Sequence, residues 1–166
     1  MTTVGHTIMG VTTATVFIPF PLSRNKKFLW LATAIFAANI PDIALPGWGH
    51  DRYYFSHSIV VNAIILFLFI GLMLTLRRDY KFQKHFIAMF SLAWMSHFIL
   101  DSFYNHGKGL RAFWPISDAA LNMPIPIFET TDSSSNLFLT YLIEFLVYGS
   151  VLLLVYGLRR FCIKKA

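Results

Sequence analysis

The stretch LFLTYLIEFLVYGSVLLLVYGL at residues 137–158 decides the fold class, because Glu144 is its only charged side chain. A hydrocarbon core about 30 Å thick needs about 20 consecutive apolar residues in a helix. Residues 137–158 are therefore long enough to cross a bilayer. Stretches of similar character lie at residues 4–20, 27–45, 57–76 and 84–103. The sequence thus predicts an all-α integral membrane bundle of five transmembrane helices, formed as one domain over residues 1–166.

The composition of the whole chain agrees with this prediction. Of the 166 residues, 56% are hydrophobic and only 13% carry a charge, with 17 Phe, 7 Tyr and 4 Trp. A water-soluble domain of this size is more polar. The one cysteine, Cys162, excludes an intrachain disulfide, so stability has to come from helix packing.

The basic residues predict the orientation. Of 14 Lys and Arg residues, only Arg52, Lys108 and Arg111 lie in the connections after the second and fourth spans. Short loops rich in Lys and Arg stay in the cytoplasm, so we expect the N-terminus outside and the C-terminus inside. The net charge of +6 then indicates a basic inner face against anionic lipids, and no nucleic-acid partner is expected.

With this topology, histidines and carboxylates gather at the outer ends of the spans, and only His85 and Asp79 fall on the cytoplasmic side. His97 and Asp101 are four residues apart, which places both on one face of a helix. This is ligand spacing for zinc, or with more oxygen donors for manganese or iron. A His–Asp hydrogen bond that packs a helix end is the alternative.

Three further residues are expected at the same membrane level. Asp42 follows Pro41 at the end of the second span, His57 opens the third, and His6 lies about a turn inside the first. An ionisable group at that depth is costly unless it faces protein or water and finds a partner. The sequence therefore predicts a centre for one or two divalent ions, most simply zinc, with these candidate ligands: His6, Asp42, His57, His97 and Asp101.

Groups near this centre are candidates for catalysis and substrate binding. His50, Asp51 and Glu144 are the candidate catalytic residues, with Asp51 or Glu144 as the general base. The outer basic residues Arg52, Lys108 and Arg111 are candidates for clamping an anionic headgroup. The connection at residues 104–136 is predicted either to cover the site as an interfacial lid or to be a passive loop.

The motifs resemble the YdjM-like family of bacterial inner-membrane proteins that are assigned as metal-dependent hydrolases. The resemblance covers residues 6 to 115, and these motifs carry it: His6, Pro41-Asp42, Ser56-His57-Ser58, His97 to Asp101 and Phe113-Trp114-Pro115. The family commonly has Pro-Asp-x-Asp, whereas this chain has Ala44 at the second acid. The resemblance implies an inner-membrane location and a metal site, and it adds Trp114 to the substrate-binding candidates.

Two functions follow as hypotheses. The first is a metal-dependent hydrolase that cleaves a phosphoester or related bond in a lipid or lipid-linked substrate at the outer leaflet. The second is a non-enzymatic membrane protein with a structural metal site or a regulatory partner-binding role. An ion transporter is a weaker third, because no polar ladder continues through the cytoplasmic half of the spans.

Overall fold

The computed structural model describes residues 2–19, 21–43, 53–76, 80–102, 104–105, 111–120, 128–129 and 137–165. These ranges are predominantly helical, which confirms the all-α part of the predicted fold. A single-turn 3-10 helix, Ile40–Asp42, follows the second of six α-helices. The α-helices are α1 Thr3–Phe17, α2 Arg24–Asn39, α3 Tyr53–Ser56, α4 Ile59–Thr75, α5 Tyr80–Asp101 and α6 Leu137–Lys165.

Each of the five long helices overlaps one of the five apolar stretches, and α1, α2 and α4 are shorter than the stretches that they overlap. Helix α1 ends before Pro19, because proline disfavours helical backbone in the residue that precedes it, here Ile18. Helix α2 gives way to the 3-10 turn at Pro41, because proline has no N–H to donate and its ring clashes with the preceding helical turn. Helix α4 begins at Ile59, where the side chain of Ser58 caps it by accepting from the Val61 N–H at 3.2 Å. The sequence predicts His57 as the first residue of the third span. In the structure it precedes α4 and lies outside the helix.

Helix α1 is central and packs against α2, α5 and α6, while α4 packs mainly on α5. Small side chains let α1 and α2 approach closely. A Cβ added to Gly10 would lie 2.8 Å from the Ala34 carbonyl oxygen and 2.9 Å from Ile35 Cα. Ala14, on the next turn of α1, is also fully buried. Contacts of this kind are typical of helix pairs in membranes, where van der Waals packing drives association.

Helix α6 runs parallel to α1 and is joined to it at both ends. Near its start, the buried Glu144 accepts hydrogen bonds from the backbone N–H groups of Thr2 at 2.9 Å and Gly5 at 3.1 Å. Near its end, the Arg159 guanidinium donates to the backbone carbonyls of Thr15 and Ile18. These charges complement the dipole of α1, a carboxylate at its N-terminus and a cation at its C-terminus.

The rest of α6 carries an exposed apolar surface. Phe138, Leu153 and Leu154 are 77%, 72% and 63% exposed, and only Glu144 and Tyr148 are buried among its described side chains. Phe138–Cys162 is the one helix in the described ranges that is both long and apolar enough to cross a membrane, and Ile59–Thr75 is a shorter apolar helix. Solvent-facing helices do not show so much apolar surface, which suits contact with lipid.

The predicted 104–136 connection is described in three pieces. Tyr104–Asn105 pairs in parallel with Phe128–Glu129. Residues 128–129 of the connection therefore lie beside its first residues, near the end of α5. The piece at residues 111–120 packs on the start of α4, where the Ile59 N–H donates to the Ala112 carbonyl at 2.8 Å. This part of the connection therefore lies beside the His57 segment.

Candidate metal centre

Four elements bring five predicted ligands to one point. Helix α1 contributes His6, and the 3-10 turn after α2 contributes Asp42. The turn between α3 and α4 contributes His57. Helix α5 contributes both His97 and Asp101, whose Nε2 and Oδ2 atoms lie 3.2 Å apart, in keeping with their predicted position on one helix face. All five predicted metal ligands are thus assembled in the structure.

Four of these residues have the spacing of a metal coordination shell. Single ligand atoms from Asp42, His57, His97 and Asp101 lie within 4.8 Å of one another. The two imidazole Nε2 atoms of His57 and His97 are 3.3 Å apart. Their distances to Asp42 Oδ1 are 3.2 and 3.5 Å, and those to Asp101 Oδ2 are 3.4 and 3.2 Å. In a tetrahedral zinc site, bonds of about 2.0–2.1 Å separate ligand atoms by roughly 3.3–3.4 Å.

His6 is the fifth residue, and its nitrogens have no other role in the described part of the chain. Its ring is almost fully buried, and neither Nδ1 nor Nε2 forms a hydrogen bond with a described residue. The Nε2 atom lies 3.2 Å from Asp101 Oδ1 and 3.7 Å from Asp42 Oδ2. An unsatisfied buried polar atom costs about 1–3 kcal/mol. A cation at this point would supply the missing partner, so the residues fit a metal ion.

Hydrogen bonds on the far side of two rings prepare their Nε2 atoms for a metal. His97 Nδ1 lies 2.9 Å from the Ala38 carbonyl oxygen, which can only accept, so Nδ1 carries the proton and the Nε2 lone pair is free. His57 Nδ1 lies 3.0 Å from the Ser56 hydroxyl, which can accept from it. Partners of this kind fix the tautomer and orientation of metal-binding histidines.

A buried asparagine fixes the backbone around His57. Asn62 of α4 donates its amide hydrogens to the carbonyls of Ser56 at 2.7 Å and Ser58 at 2.8 Å, one on each side of His57. Its carbonyl accepts from Trp94 Nε1 of α5 at 2.9 Å. Asn62 therefore ties the His57 turn to the helix that carries His97. It was missed from the sequence, although an amide in an otherwise apolar helix was an available signal.

The centre is buried on one side and reachable on the other. The side chains of His6, His97 and Asp101 are at most 3% exposed, whereas Asp42 is 33% and His57 is 12% exposed. Two carboxylates this close repel each other, and burying them is costly unless cations compensate the charge. A divalent ion would neutralise both, and the partial exposure of Asp42 and His57 marks the side from which it could enter.

The structure describes three of the remaining candidates: Glu144, Trp114 and Arg111. Glu144 contacts the first turn of α1, as described above, and the predicted role as general base stays a prediction. The Trp114 carbonyl accepts from the Ser58 hydroxyl beside His57, and the Trp114 ring contacts Tyr54 and Phe55 at centroid distances of 5.3 and 4.2 Å. The exposed Arg111 lies 3.6 Å from Asp118 Oδ1. His50, Asp51, Arg52 and Lys108 lie outside the described residues.

Comparison with known proteins extends the resemblance over nearly the whole chain. The family described as YdjM inner membrane protein matches residues 1–163, so the match includes α6 as well as the segments that carry the ligands. No curated protein and no solved structure matches the chain. The family predicted from the short motifs is confirmed, and the chain belongs to the YdjM inner membrane protein family.

Proposed function

We propose that this protein is a membrane-embedded, metal-dependent hydrolase that cleaves a phosphoester or related bond of a lipid or lipid-linked substrate at the outer leaflet. The convergence of three imidazole Nε2 atoms on two carboxylates is the observation that carries the proposal. Nitrogen and oxygen ligands in this mixture favour zinc, with manganese and iron as the alternatives. Partial exposure of Asp42 and His57 supports access for a substrate from one side.

The membrane arrangement that belongs to this proposal has five spans, with the N-terminus outside and the C-terminus in the cytoplasm. The parallel course of α1 and α6 supports it, since a first and a fifth span cross in the same direction. All five ligands lie at the ends of the helices that this orientation places outside. The centre would then lie near the level of the outer headgroups, which favours a lipid as the substrate.

In this proposal, one set of residues binds the metal and another binds the substrate. A bound metal would activate water near neutral pH and polarise a phosphoryl or carbonyl oxygen. His57, His97, Asp42 and Asp101 would hold it, and the Ala38 carbonyl would keep the His97 lone pair directed inward. Arg111 and Trp114, on the piece of chain that packs beside His57, would bind the anionic and apolar parts of the substrate. The 104–136 connection would cover the site as a lid.

A second function, a structural metal site without turnover, is favoured by one observation. Asp42, His57, His97 and Asp101 already provide four ligands, which saturate a tetrahedral ion, whereas catalytic zinc sites keep one position open. Such a protein would hold metal tightly and act through partner binding. Turnover distinguishes the two functions.

Activity on lipids tests the proposal. The purified protein, reconstituted in vesicles of bacterial total lipid extract, is expected to release water-soluble phosphate or phosphorylated headgroups. A chelator and the Asp101→Asn variant should abolish the release, and re-addition of zinc should restore it only in the wild type. The His85→Ala variant is the matched control, because His85 lies on α5 about 18 Å along the helix from His97. Release that survives both chelation and Asp101→Asn would refute a metal-dependent reaction.

A further inference from the structure

The two oxygens of each carboxylate at the centre face different histidines. Asp101 directs Oδ2 towards His57 and His97, and its other oxygen, Oδ1, lies 3.2 Å from His6 Nε2. Asp42 follows the same pattern, with Oδ1 near His57 and His97 and Oδ2 3.7 Å from His6 Nε2. A carboxylate whose oxygens face two separate sets of nitrogen ligands has the arrangement of a bridging ligand.

The rings of His6 and His97 show the spacing between these two sets. The rings stack with their centroids 3.7 Å apart and their planes within 10°. An imidazole binds a metal ion in the plane of its ring. Two parallel rings that face the same carboxylates therefore direct their lone pairs to two separate metal positions, which are about as far apart as the rings. Metal ions in two-metal hydrolytic sites are about 3.5–4 Å apart.

We propose that the cluster binds two divalent ions, one held by His57 and His97 and the other by His6, with Asp42 and Asp101 each bridging both. The first ion receives four protein ligands and is closed. The second receives His6 and one oxygen from each carboxylate, so three protein ligands leave a position open for water or substrate. This inference rests on the metal centre of the proposed function, and it assigns the reactive position to the ion that His6 binds, which a substrate would reach past the partly exposed Asp42.

The assignment explains why His6 is present. A single tetrahedral ion is complete without it, and the buried Nε2 of His6 would then remain without a hydrogen-bond partner in the described part of the chain, whereas the second ion binds this atom. One divalent ion already offsets the charge of the two carboxylates, so a second ion leaves a net positive charge that would attract an anionic substrate.

Metal stoichiometry and magnetic coupling test this inference. The detergent-purified protein is loaded with Mn²⁺, freed of excess ion, and measured by elemental analysis and electron paramagnetic resonance. The wild type and the His85→Ala control should each hold two ions per chain with an exchange-coupled spectrum. The His6→Ala variant should hold one ion with an uncoupled spectrum, and His6→Phe, which keeps an aromatic ring against His97, should do the same.

The outcomes separate this inference from the proposed function. One uncoupled ion in the wild type would overturn the two-ion assignment, even if hydrolysis is observed. Two coupled ions without hydrolysis would support the assignment and refute the hydrolase. No bound ion in folded wild type would refute both. Because the stoichiometry and spectrum of the wild type distinguish one ion from two, the test holds even if a His6 variant fails to fold.

Discussion

Glu144 of α6 accepts a hydrogen bond from the backbone N–H of Gly5 at 3.1 Å, and Gly5 directly precedes the metal-centre residue His6. The same carboxylate accepts from the Thr2 N–H at 2.9 Å, so a residue distant in sequence satisfies donors at the start of α1. Through these contacts α6 fixes the first turn of the helix that carries His6.

We therefore expect Glu144→Ala to destabilise the protein and to weaken metal binding. Loss of a helix cap costs about 0.5–2 kcal/mol, and the change also leaves buried donors without an acceptor. Thermal unfolding in detergent should show a lower Tm, and elemental analysis should show less bound metal. Phe145→Leu, at the neighbouring exposed position, is the matched control and should change neither.

Glu144→Gln distinguishes this capping role from the general-base role predicted from the sequence. Glutamine keeps one acceptor oxygen, so the cap should be partly retained and metal content should fall less than with alanine. A general base, in contrast, loses its function in the glutamine variant while metal content and Tm stay at wild-type values. Loss of hydrolysis with full metal content and unchanged Tm would show that Glu144 acts in the reaction.

Gly10→Ala should disrupt the α1–α2 contact. The added Cβ would lie within 3.0 Å of backbone atoms of Ala34 and Ile35, which cannot move as a side-chain end can. We expect a lower Tm and reduced metal content, because α1 carries His6 and the end of α2 leads to Asp42. Gly71→Ala is the control, since a Cβ there meets nothing within 4 Å and alanine favours helix by about 1 kcal/mol. Equal effects of the two substitutions would contradict the close-packing explanation.

Asn62→Asp should loosen the His57 turn while it keeps the acceptor for Trp94. The carboxylate cannot donate to the carbonyls of Ser56 and Ser58, which lose their partner and meet a negative charge. Changes in residues that orient metal ligands commonly cost about 10–100-fold in metal affinity, and we expect a loss in that range. A competitive chelator titration measures it. Thr75→Ala serves as the control, because that hydroxyl donates to the Leu72 carbonyl of its own helix. An unchanged affinity in Asn62→Asp would rule out the orienting role.

The sequence predicted the parts of the centre that depend on local geometry. His97 and Asp101 meet because four residues make about one helical turn, and this relation holds in any α-helix. Pro41 predicted the end of α2 and hence the position of Asp42. His6 and His57 could be placed at one membrane level from the sequence only because successive spans cross the membrane in opposite directions. The structure brings both residues to the carboxylates of the centre.

Other features depend on which face each helix turns towards its neighbours and on which helices are neighbours. For helices that are apolar on all faces, the hydrophobic periodicity of the sequence determines neither. The partner of Glu144 is an example, since no sequence pattern indicates that this carboxylate binds the backbone just before His6. The role of Asn62 depends on Trp94 of another helix. The bridging arrangement of the carboxylates depends on individual oxygen atoms, which no sequence pattern specifies.

The sole cysteine allows the proposed orientation to be tested directly. Cys162 is exposed near the end of α6, so with a cytoplasmic C-terminus a membrane-impermeant maleimide should not label it in intact spheroplasts and should label it after permeabilisation. The Cys162→Ser, Asp118→Cys double variant should show the opposite behaviour, because Asp118 is 79% exposed and lies in the connection predicted to be outside. Labelling of Cys162 in intact spheroplasts, with protection of the cysteine at position 118, would reverse the orientation. The metal centre would then face the cytoplasm, and the substrate would have to come from the inner leaflet.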